Sequence, residues 1–230
     1  MVTNIEVNNI YNADCLIGMK EIDNESINMI ITDPPYGIDY QSSRRTDKDK
    51  RIPKIQNDKS PFIWFLYDAF RVLKAGGGIL CFCRWDTEHD FLLAMKWAGF
   101  SVKSSIVWDR QHHGMGDLKG SFAPTHDIIL FGTKGRFEFP GKRPKDVISC
   151  QRLNADKLRH PNEKPVELMA KLIEFVSKQG DIILDPFVGS GTTIEACKNT
   201  GRNYIGFEID KSYFDMSIKR VVVPNKAFDN

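Results

Sequence analysis

The sequence predicts an α/β protein in which helices cover both faces of an open, mostly parallel sheet. Short apolar runs rich in β-branched residues, such as Ile27–Thr32, alternate with longer amphipathic stretches, such as residues 166–177. The chain has 230 residues, 41% of them hydrophobic, which is enough for one well-buried domain and too few for two large ones. We therefore expect a single domain over residues 1–230.

Glycines set several of the expected element boundaries. A helix over residues 63–73 should end before Gly76-Gly77-Gly78, and a helix over residues 193–200 should end at Gly201, because glycine readily adopts the left-handed conformation that terminates helices. The predicted strands cover residues 27–32, 78–83, 104–108, 127–131, 181–184 and 203–207, and the predicted helices cover residues 63–73, 89–98, 166–177, 193–200 and 211–220.

Two polar segments interrupt this alternation and carry most of the positive charge. Residues 41–60 are charged and weakly periodic, which predicts a mobile loop, and residues 133–165 are interrupted by glycine and proline, which predicts an irregular insertion with at most short strands. Residues 42–59 have a net charge of +4 and residues 134–164 of +5, whereas the rest of the chain has −7. On charge alone, both a polyanion-binding surface and a pair of solvated loops are compatible with this distribution.

A nucleoside-binding turn is predicted near the carboxyl end of the chain. Residues 181–193 form a buried strand, a Gly189-Ser190-Gly191 turn and a helix start, and Glu208 follows Gly191 by 17 residues at the end of the next strand. An acidic residue at this spacing suits the hydroxyl groups of a ribose. Ile194 replaces the third glycine of a dinucleotide fingerprint, and no P-loop lysine is present, so a diphosphate cradle is excluded. Asp185 offers a carboxylate to a cation instead.

A second polar tip follows the predicted strand over residues 27–32. Asp33 is followed by Pro34 and Pro35, which lack N–H donors, so the tip presents mainly acceptors, and Tyr36 can stack on a flat ring. Acceptors at the Asp33 carboxylate and the Pro34 carbonyl would hold the two hydrogens of a base amino group, so that its nitrogen attacks a methyl donor in line. A loop with a packing tyrosine is the alternative.

Together these motifs resemble those of the amino-group DNA methyltransferases. The family's Asp-Pro-Pro-Tyr motif is matched at residues 33–36 and its Asp-Pro-Phe-x-Gly-Ser-Gly-Thr motif at residues 185–192. This motif order resembles the β group, in which the sheet order is circularly permuted. The segments at residues 12–16 and 160–165 resemble the family's adenine-binding segment and its His-Pro-x-x-Lys-Pro motif. The resemblance implies a cofactor site made of Asp14, Cys15, Asp33, Lys164, Asp185, Phe187, Gly189, Ser190, Gly191, Thr192 and Glu208.

The resemblance implies a Rossmann-like, S-adenosylmethionine-dependent fold and methyl transfer to a flipped base of double-stranded DNA. Family members with Asp at the first motif position act mainly on adenine N6 and those with Ser mainly on cytosine N4, so we expect adenine, with cytosine N4 as the alternative. A protein amide-nitrogen methyltransferase and an inactive DNA-binding relic are further alternatives. Asp33 disfavours the first, and the intact motifs disfavour the second.

The resemblance also suggests partners beyond the cofactor. The family places its target-recognition segment where this chain has residues 133–159. In this chain that segment is short. The basic residues expected to contact DNA are Arg44, Arg45, Lys50, Arg51, Lys142 and Arg143. A homodimer and a cognate restriction endonuclease are compatible with the β-group resemblance. No stretch reaches the roughly 18 to 20 apolar residues of a membrane helix, so we expect a cytoplasmic protein without a membrane partner.

Some remaining residue types have simpler interpretations. His112 and His113 lack a third ligand at metal spacing, so we expect a rim loop and no metal site. The five cysteines form no CxxC pair and are expected to be reduced packing residues. The four tryptophans are expected in the core, with Trp108 nearest to the proposed site.

Overall fold

A computed structural model describes residues 4–37, 60–113, 119–153 and 163–222. Within these residues the strands are β1 (Asn9–Asn12), β2 (Ile27–Thr32), β3 (Leu73–Cys83), β4 (Ser101–Asp109), β5 (His126–Thr133), β6 (Val147–Ser149), β7 (Ile182–Asp185) and β8 (Asn203–Glu208). The helices are α1 (Cys15–Gly18), α2 (Leu66–Val72), α3 (Glu88–Ala98), α4 (Val166–Val176), α5 (Thr192–Asn199) and α6 (Lys211–Val222), and a 3-10 turn covers Met19–Glu21.

The strands form one sheet in the order β1-β8-β7-β2-β3-β5-β4-β6. Strand β5 is antiparallel to both of its neighbours, and every other pairing between described strands is parallel. The central strands are buried along most of their length, as expected for a parallel sheet covered by helices. The predicted α/β fold with a mostly parallel sheet is confirmed.

The position of β2 decides where the two sequence motifs lie. Met29 and Ile30 of β2 pair with Ile183 and Leu184 of β7, although more than 150 residues separate them in the chain. Because the strands are parallel, both carboxyl ends lie at the same edge of the sheet. The tip at residues 33–36 and the turn after Asp185 are therefore neighbours.

The glycine run at residues 76–78 was expected to separate a helix from a strand, and this expectation is wrong. Helix α2 ends at Val72 and β3 begins at Leu73, so the glycines lie inside the strand. A β-carbon on Gly77 would lie 2.6 Å from the carbonyl oxygen of Asn28, and one on Gly78 would lie 2.8 Å from that of Gly132. Close approach of neighbouring strands, rather than helix termination, explains these glycines.

Elements that the periodicity did not predict are all short. Strand β1, helix α1 and strand β6 contain four, four and three residues, which is too little for a periodic signal. Strand β6 is a short strand in the described part of residues 133–165. The proposed loop over residues 41–60 lies outside the described residues except for Ser60.

The tryptophans differ from the expectation of a common core location. Trp64, Trp85 and Trp97 are 70%, 71% and 81% exposed, whereas Trp108 is buried and its Nε1 donates to the carbonyl of Cys150 at 2.8 Å. Helix and strand periodicity could not separate these cases because Trp64 and Trp85 lie just outside elements. All five cysteines are buried and unbridged, as expected. No helix among the described residues is long and apolar enough to cross a membrane.

Candidate active site

A cleft opens at the carboxyl edge of the sheet, where β2, β7 and β8 end. Both motif regions contribute to its walls. The residues lining it that the sequence predicted are Asp14, Cys15, Asp33, Pro34, Pro35, Lys164, Asp185, Phe187, Gly189, Ser190, Thr192 and Glu208.

The turn after β7 has a backbone conformation that glycine adopts more readily than other residues. Gly189 and Gly191 have φ values of +54° and +89°, in the left-handed region that favours glycine. Gly191 caps α5, and a β-carbon there would lie 3.0 Å from the β-carbon of Ser217 on α6. Any larger residue at 191 would therefore be strained by its backbone and crowded by α6.

Glu208 is tied to this turn from the end of the neighbouring strand. Its Oε2 accepts a hydrogen bond from the backbone N–H of Gly189 at 2.8 Å, and its Oε1 accepts one from that of Asp210 at 2.8 Å. Burial raises the pKa of the carboxyl group, although the two backbone donors oppose this. Each oxygen retains a second acceptor position, which leaves Glu208 able to bind hydroxyl groups.

Asp185 lies at the buried end of β7. Its Oδ1 accepts hydrogen bonds from the hydroxyl of Thr32 at 3.2 Å and from the backbone N–H of Phe187 at 3.0 Å. Burial raises the pKa of Asp185 to about 7, and hydrogen bonds from Thr193, Phe187 and Thr32 only partly offset this effect. A cationic ligand group in the cleft would favour the ionised carboxylate.

Asp14 and Cys15 form the wall contributed by the first part of the chain. Asp14 is the N-cap of α1, and its Oδ1 accepts from the backbone N–H of Leu16 at 2.8 Å. Cys15 is buried, which raises the pKa of its thiol and makes it a packing group.

Phe187 packs edge-on against Phe62 and Phe65, with ring centroids 5.6 Å and 5.0 Å apart. Phe62 also lines the cleft but lies in no motif, so the sequence did not reveal it.

The tip at residues 33–36 is more enclosed than the sequence suggested. Tyr36 is only 7% exposed, and its hydroxyl donates to Oδ1 of Asp33. Burial, followed by the Asp33 charge, raises the pKa of Tyr36 well above its usual value. The backbone carbonyl of Pro35 accepts from the N–H of Phe62 at 3.0 Å, which fixes the far side of the tip. The Tyr36 ring is thus packed in the described structure and not presented to solvent.

Lys164 joins the tip from a distant part of the chain. Its Nζ lies 2.8 Å from Oδ2 of Asp33 and donates to the Tyr36 hydroxyl oxygen at 3.3 Å. Although Lys164 lines the cleft as predicted for a cofactor residue, these two contacts are to the tip.

Arg220 on α6 is a site residue that the sequence did not predict. Its Nη1 lies 2.7 Å from Oε1 of Glu163, and its Nε bonds to Oε2 of Glu195. The same Nη1 donates to the Ser190 hydroxyl at 3.1 Å and the Thr192 hydroxyl at 3.2 Å. Arg220 therefore connects α6 to the Gly189–Gly191 turn and to the segment that carries Lys164. Its sequence signal, a basic residue in the last turn of a helix, is common and nonspecific.

Two of the six residues proposed to bind DNA, Lys142 and Arg143, lie among the described residues. Arg44, Arg45, Lys50 and Arg51 lie outside the described residues. Lys142 and Arg143 lie in the segment between β5 and β6. Arg143 lines a separate groove with Lys103, Phe137 and Phe139.

Comparison with known proteins agrees with this geometry. The model of the N6/N4 methyltransferase family, described as DNA methylase, matches residues 27–219. Type II methyltransferase M.HpaI of Haemophilus parainfluenzae is 31% identical over 95% of this chain and 75% of its own length. The crystal structure of the M1.HpyAVI–SAM complex is similar with a TM-score of 0.73 and 28% identity, over 93% of this chain and 98% of that one.

The cytosine-N4-specific PvuII DNA methyltransferase is similar in fold alone. Its TM-score is 0.76 at 17% identity, over 96% of this chain and 89% of that one. Fold likeness therefore does not separate the two target bases. The family match covers most of the chain and includes both motif regions that meet in the cleft. The chain belongs to the DNA methylase family of amino-group (N6 or N4) methyltransferases.

Proposed function

We propose that this protein transfers a methyl group from S-adenosylmethionine to the N6 amino group of an adenine flipped out of double-stranded DNA. The pairing of β2 with β7 carries the proposal, because it sets the acceptor tip beside the nucleoside-binding turn in one cleft. The similarity to a Type II methyltransferase supports a role in restriction–modification.

The cleft fits S-adenosylmethionine, the methyl donor of this family. The donor has an adenine amino group, two ribose hydroxyls and an ammonium group, all of which need acceptors. Asp14, Glu208 and Asp185 supply three carboxylates along the cleft wall. We assign Glu208 to the ribose, Asp14 to the adenine amino group and Asp185 to the ammonium group.

The bound donor supplies a methyl group on a positively charged sulfur. The Asp33 carboxylate and the Pro34 carbonyl accept the two N–H groups of the target base, which turns the nitrogen lone pair toward that methyl group. As the N–C bond forms, the C–S electron pair stays on sulfur, and the nitrogen loses one proton toward Asp33. Pro34 and Pro35 have no N–H groups to compete for these acceptors.

A base within a duplex cannot reach this buried tip, so the target nucleotide must leave the stack. Tyr36 is assigned to stacking on the flipped base. Its ring is buried in the described structure, so base binding is expected to displace side chains around it. Asp33 at the first tip position favours adenine, because relatives with this residue act mainly on adenine.

Product analysis tests the proposal directly. Purified protein is incubated with isotopically labelled S-adenosylmethionine and unmethylated genomic DNA, and the digested nucleosides are identified by mass spectrometry. We expect labelled N6-methyldeoxyadenosine. Label only in N4-methyldeoxycytidine would show that the target is the N4 amino group of cytosine and not adenine. Donor binding without labelled DNA would indicate an inactive relic.

Asp33→Ala provides the matched variant for this assay. It should bind the methyl donor nearly as well as the wild type but transfer methyl groups about 100- to 1000-fold more slowly, because it removes an acceptor that acts mainly in the transition state. Asp181→Ala, immediately before β7 begins at Ile182, serves as the control and should retain activity. Equal rates for Asp33→Ala and the wild type would refute the assignment of the tip.

A further inference from the structure

Lys164 holds the acceptor tip through contacts with two of its residues. Its Nζ is 2.8 Å from Oδ2 of Asp33 and 3.3 Å from the hydroxyl oxygen of Tyr36, whose hydroxyl donates to Oδ1 of Asp33. Both oxygens of the Asp33 carboxylate therefore have a donor from the protein. A carboxylate held at both oxygens has a fixed plane, which determines where its remaining lone pairs point.

The surroundings of Lys164 confine the position of its Nζ. Lys164 is 8% exposed, and its Nζ lies 5.7 Å, 5.0 Å and 6.0 Å from the ring centroids of Tyr36, Phe82 and Trp108. Aromatic faces and a carboxylate stabilise a buried ammonium group. This environment restricts Nζ to a small region beside Asp33.

The backbone keeps the lysine stem in the same position. Pro165 is the N-cap of α4, and a residue before proline is restricted to extended conformations. Leu168 and Met169 in the first turn of α4 are buried, so the helix start is anchored in the core. The Lys164 side chain is thereby directed from a position next to the anchored start of α4.

We propose that Lys164 is a positioning residue for methyl transfer, which orients the Asp33 carboxylate for the target amino group and does not act by binding the cofactor. This inference rests on the proposed function of the tip. Its chemistry is consistent with the charges present, because an ammonium group repels the sulfonium of the methyl donor but attracts Asp33. Asp33 retains acceptor positions for the base while Lys164 remains bound.

Kinetics of Lys164→Met separate this role from cofactor binding. We expect single-turnover methyl transfer to slow by about 10- to 100-fold, the scale of misplacing a reacting group, with the dissociation constant of S-adenosylmethionine changed less than threefold. Lys164→Arg should recover part of the rate because it keeps a cation beside Asp33. Lys171→Met is the control, because Lys171 lies on α4 and pairs with exposed Glu167. A donor affinity that falls by as much as the rate would assign Lys164 to the cofactor instead and overturn the proposal.

A double-mutant cycle with Asp33→Asn tests whether Lys164 acts through Asp33. If it does, adding Lys164→Met to Asp33→Asn should slow the residual rate by less than twofold. If the double variant instead slows methyl transfer by the product of the two single-variant factors, the proposal is overturned. Thermal unfolding of each variant identifies loss of fold, and the cycle can be repeated with Lys164→Gln if the methionine variant is unstable. An inactive wild type would refute the proposed function, whereas an active wild type with multiplicative losses would refute only the role of Lys164.

Discussion

The backbone N–H of Gly189 donates a 2.8 Å hydrogen bond to Oε2 of Glu208, joining the turn after β7 to the end of β8. The carboxylate of Glu208 thus holds the Gly189–Gly191 turn and is also the group that we assign to the cofactor ribose. Replacing Glu208 should therefore affect both the turn and cofactor binding.

Glu208→Ala should weaken S-adenosylmethionine binding by about 1.5 to 3 kcal/mol, because hydrogen bonds to a charged acceptor are lost. Isothermal titration calorimetry on the folded variant measures this change. Glu174→Ala, at an exposed position of α4, is the control and should bind normally. Wild-type affinity in folded Glu208→Ala would show that the ribose assignment is wrong.

The affinity for S-adenosylmethionine should rise as pH increases toward 7. Asp185 has a pKa raised to about 7, so in the free protein it is mostly protonated below that pH, and binding a cation requires its ionised form. Affinity at pH 6 should be roughly tenfold lower than for the fully ionised carboxylate, because a group with a pKa of about 7 is about 90% protonated at pH 6. The ammonium group of the donor stays protonated over most of this range.

Asp185→Asn separates this effect from that of Glu208, whose pKa is also raised. The variant should bind more weakly at pH 7.5 and lose most of the pH dependence between 5.5 and 7.5. A slope that persists in Asp185→Asn would place the titrating group elsewhere. For the free protein the sign is opposite, because a carboxyl group with a raised pKa costs stability as pH rises from about 4 to 7.

The two functions of Tyr36 should separate on substitution. Tyr36→Phe loses the hydroxyl that bonds to Asp33 and Lys164 but keeps the ring, so target binding should remain close to normal. Tyr36→Ala should lose roughly 1 to 3 kcal/mol of stacking on the flipped base. Fluorescence of 2-aminopurine at the target position, with unfolding curves as a check on folding, measures this. Equal target binding by folded alanine and phenylalanine variants would exclude stacking.

Arg220 should contribute to the stability of the folded protein. Its side chain is 9% exposed and contacts two buried carboxylates, so Arg220→Met leaves Glu163 and Glu195 without this cation. We expect a loss of about 3 to 5 kcal/mol in the free energy of unfolding. Arg136→Met, at an exposed arginine, should change it by less than about 0.5 kcal/mol. Urea unfolding compares the two, and a similar small loss in both would contradict a structural role for Arg220.

DNA binding should distinguish the two basic segments. Charge reversal of the proposed DNA-binding residues in 42–59 should lower DNA affinity and flatten its dependence on salt, because fewer counterions are released. Charge reversal of Lys142 and Arg143 should have a smaller effect, because Arg143 lines a separate groove with Lys103 and does not line the cleft. Fluorescence anisotropy over a salt series measures both slopes. An unchanged slope for the first segment would identify it as a solvated loop.

The sequence by itself determined the elements that carry the chemistry. Strand β2 was predicted with its observed bounds, and the predicted glycine turn is present, with Gly189 and Gly191 in the left-handed region. These features follow from interactions between near neighbours in the chain: apolar β-branched residues favour strands, and glycine tolerates positive φ. Asp185 and Glu208 lie at the carboxyl ends of neighbouring parallel strands, as the sequence predicted.

The tertiary structure alone decided which distant residues meet. Lys164 contacts Tyr36 across 128 positions, and Arg220 contacts Glu163 across 57. Periodicity shows which face of an element is apolar but not which element covers it. The sequence therefore did not reveal that Trp64, Trp85 and Trp97 are exposed or that Tyr36 is enclosed. Such contacts depend on strand order and helix docking, which are set by the packing of the whole chain.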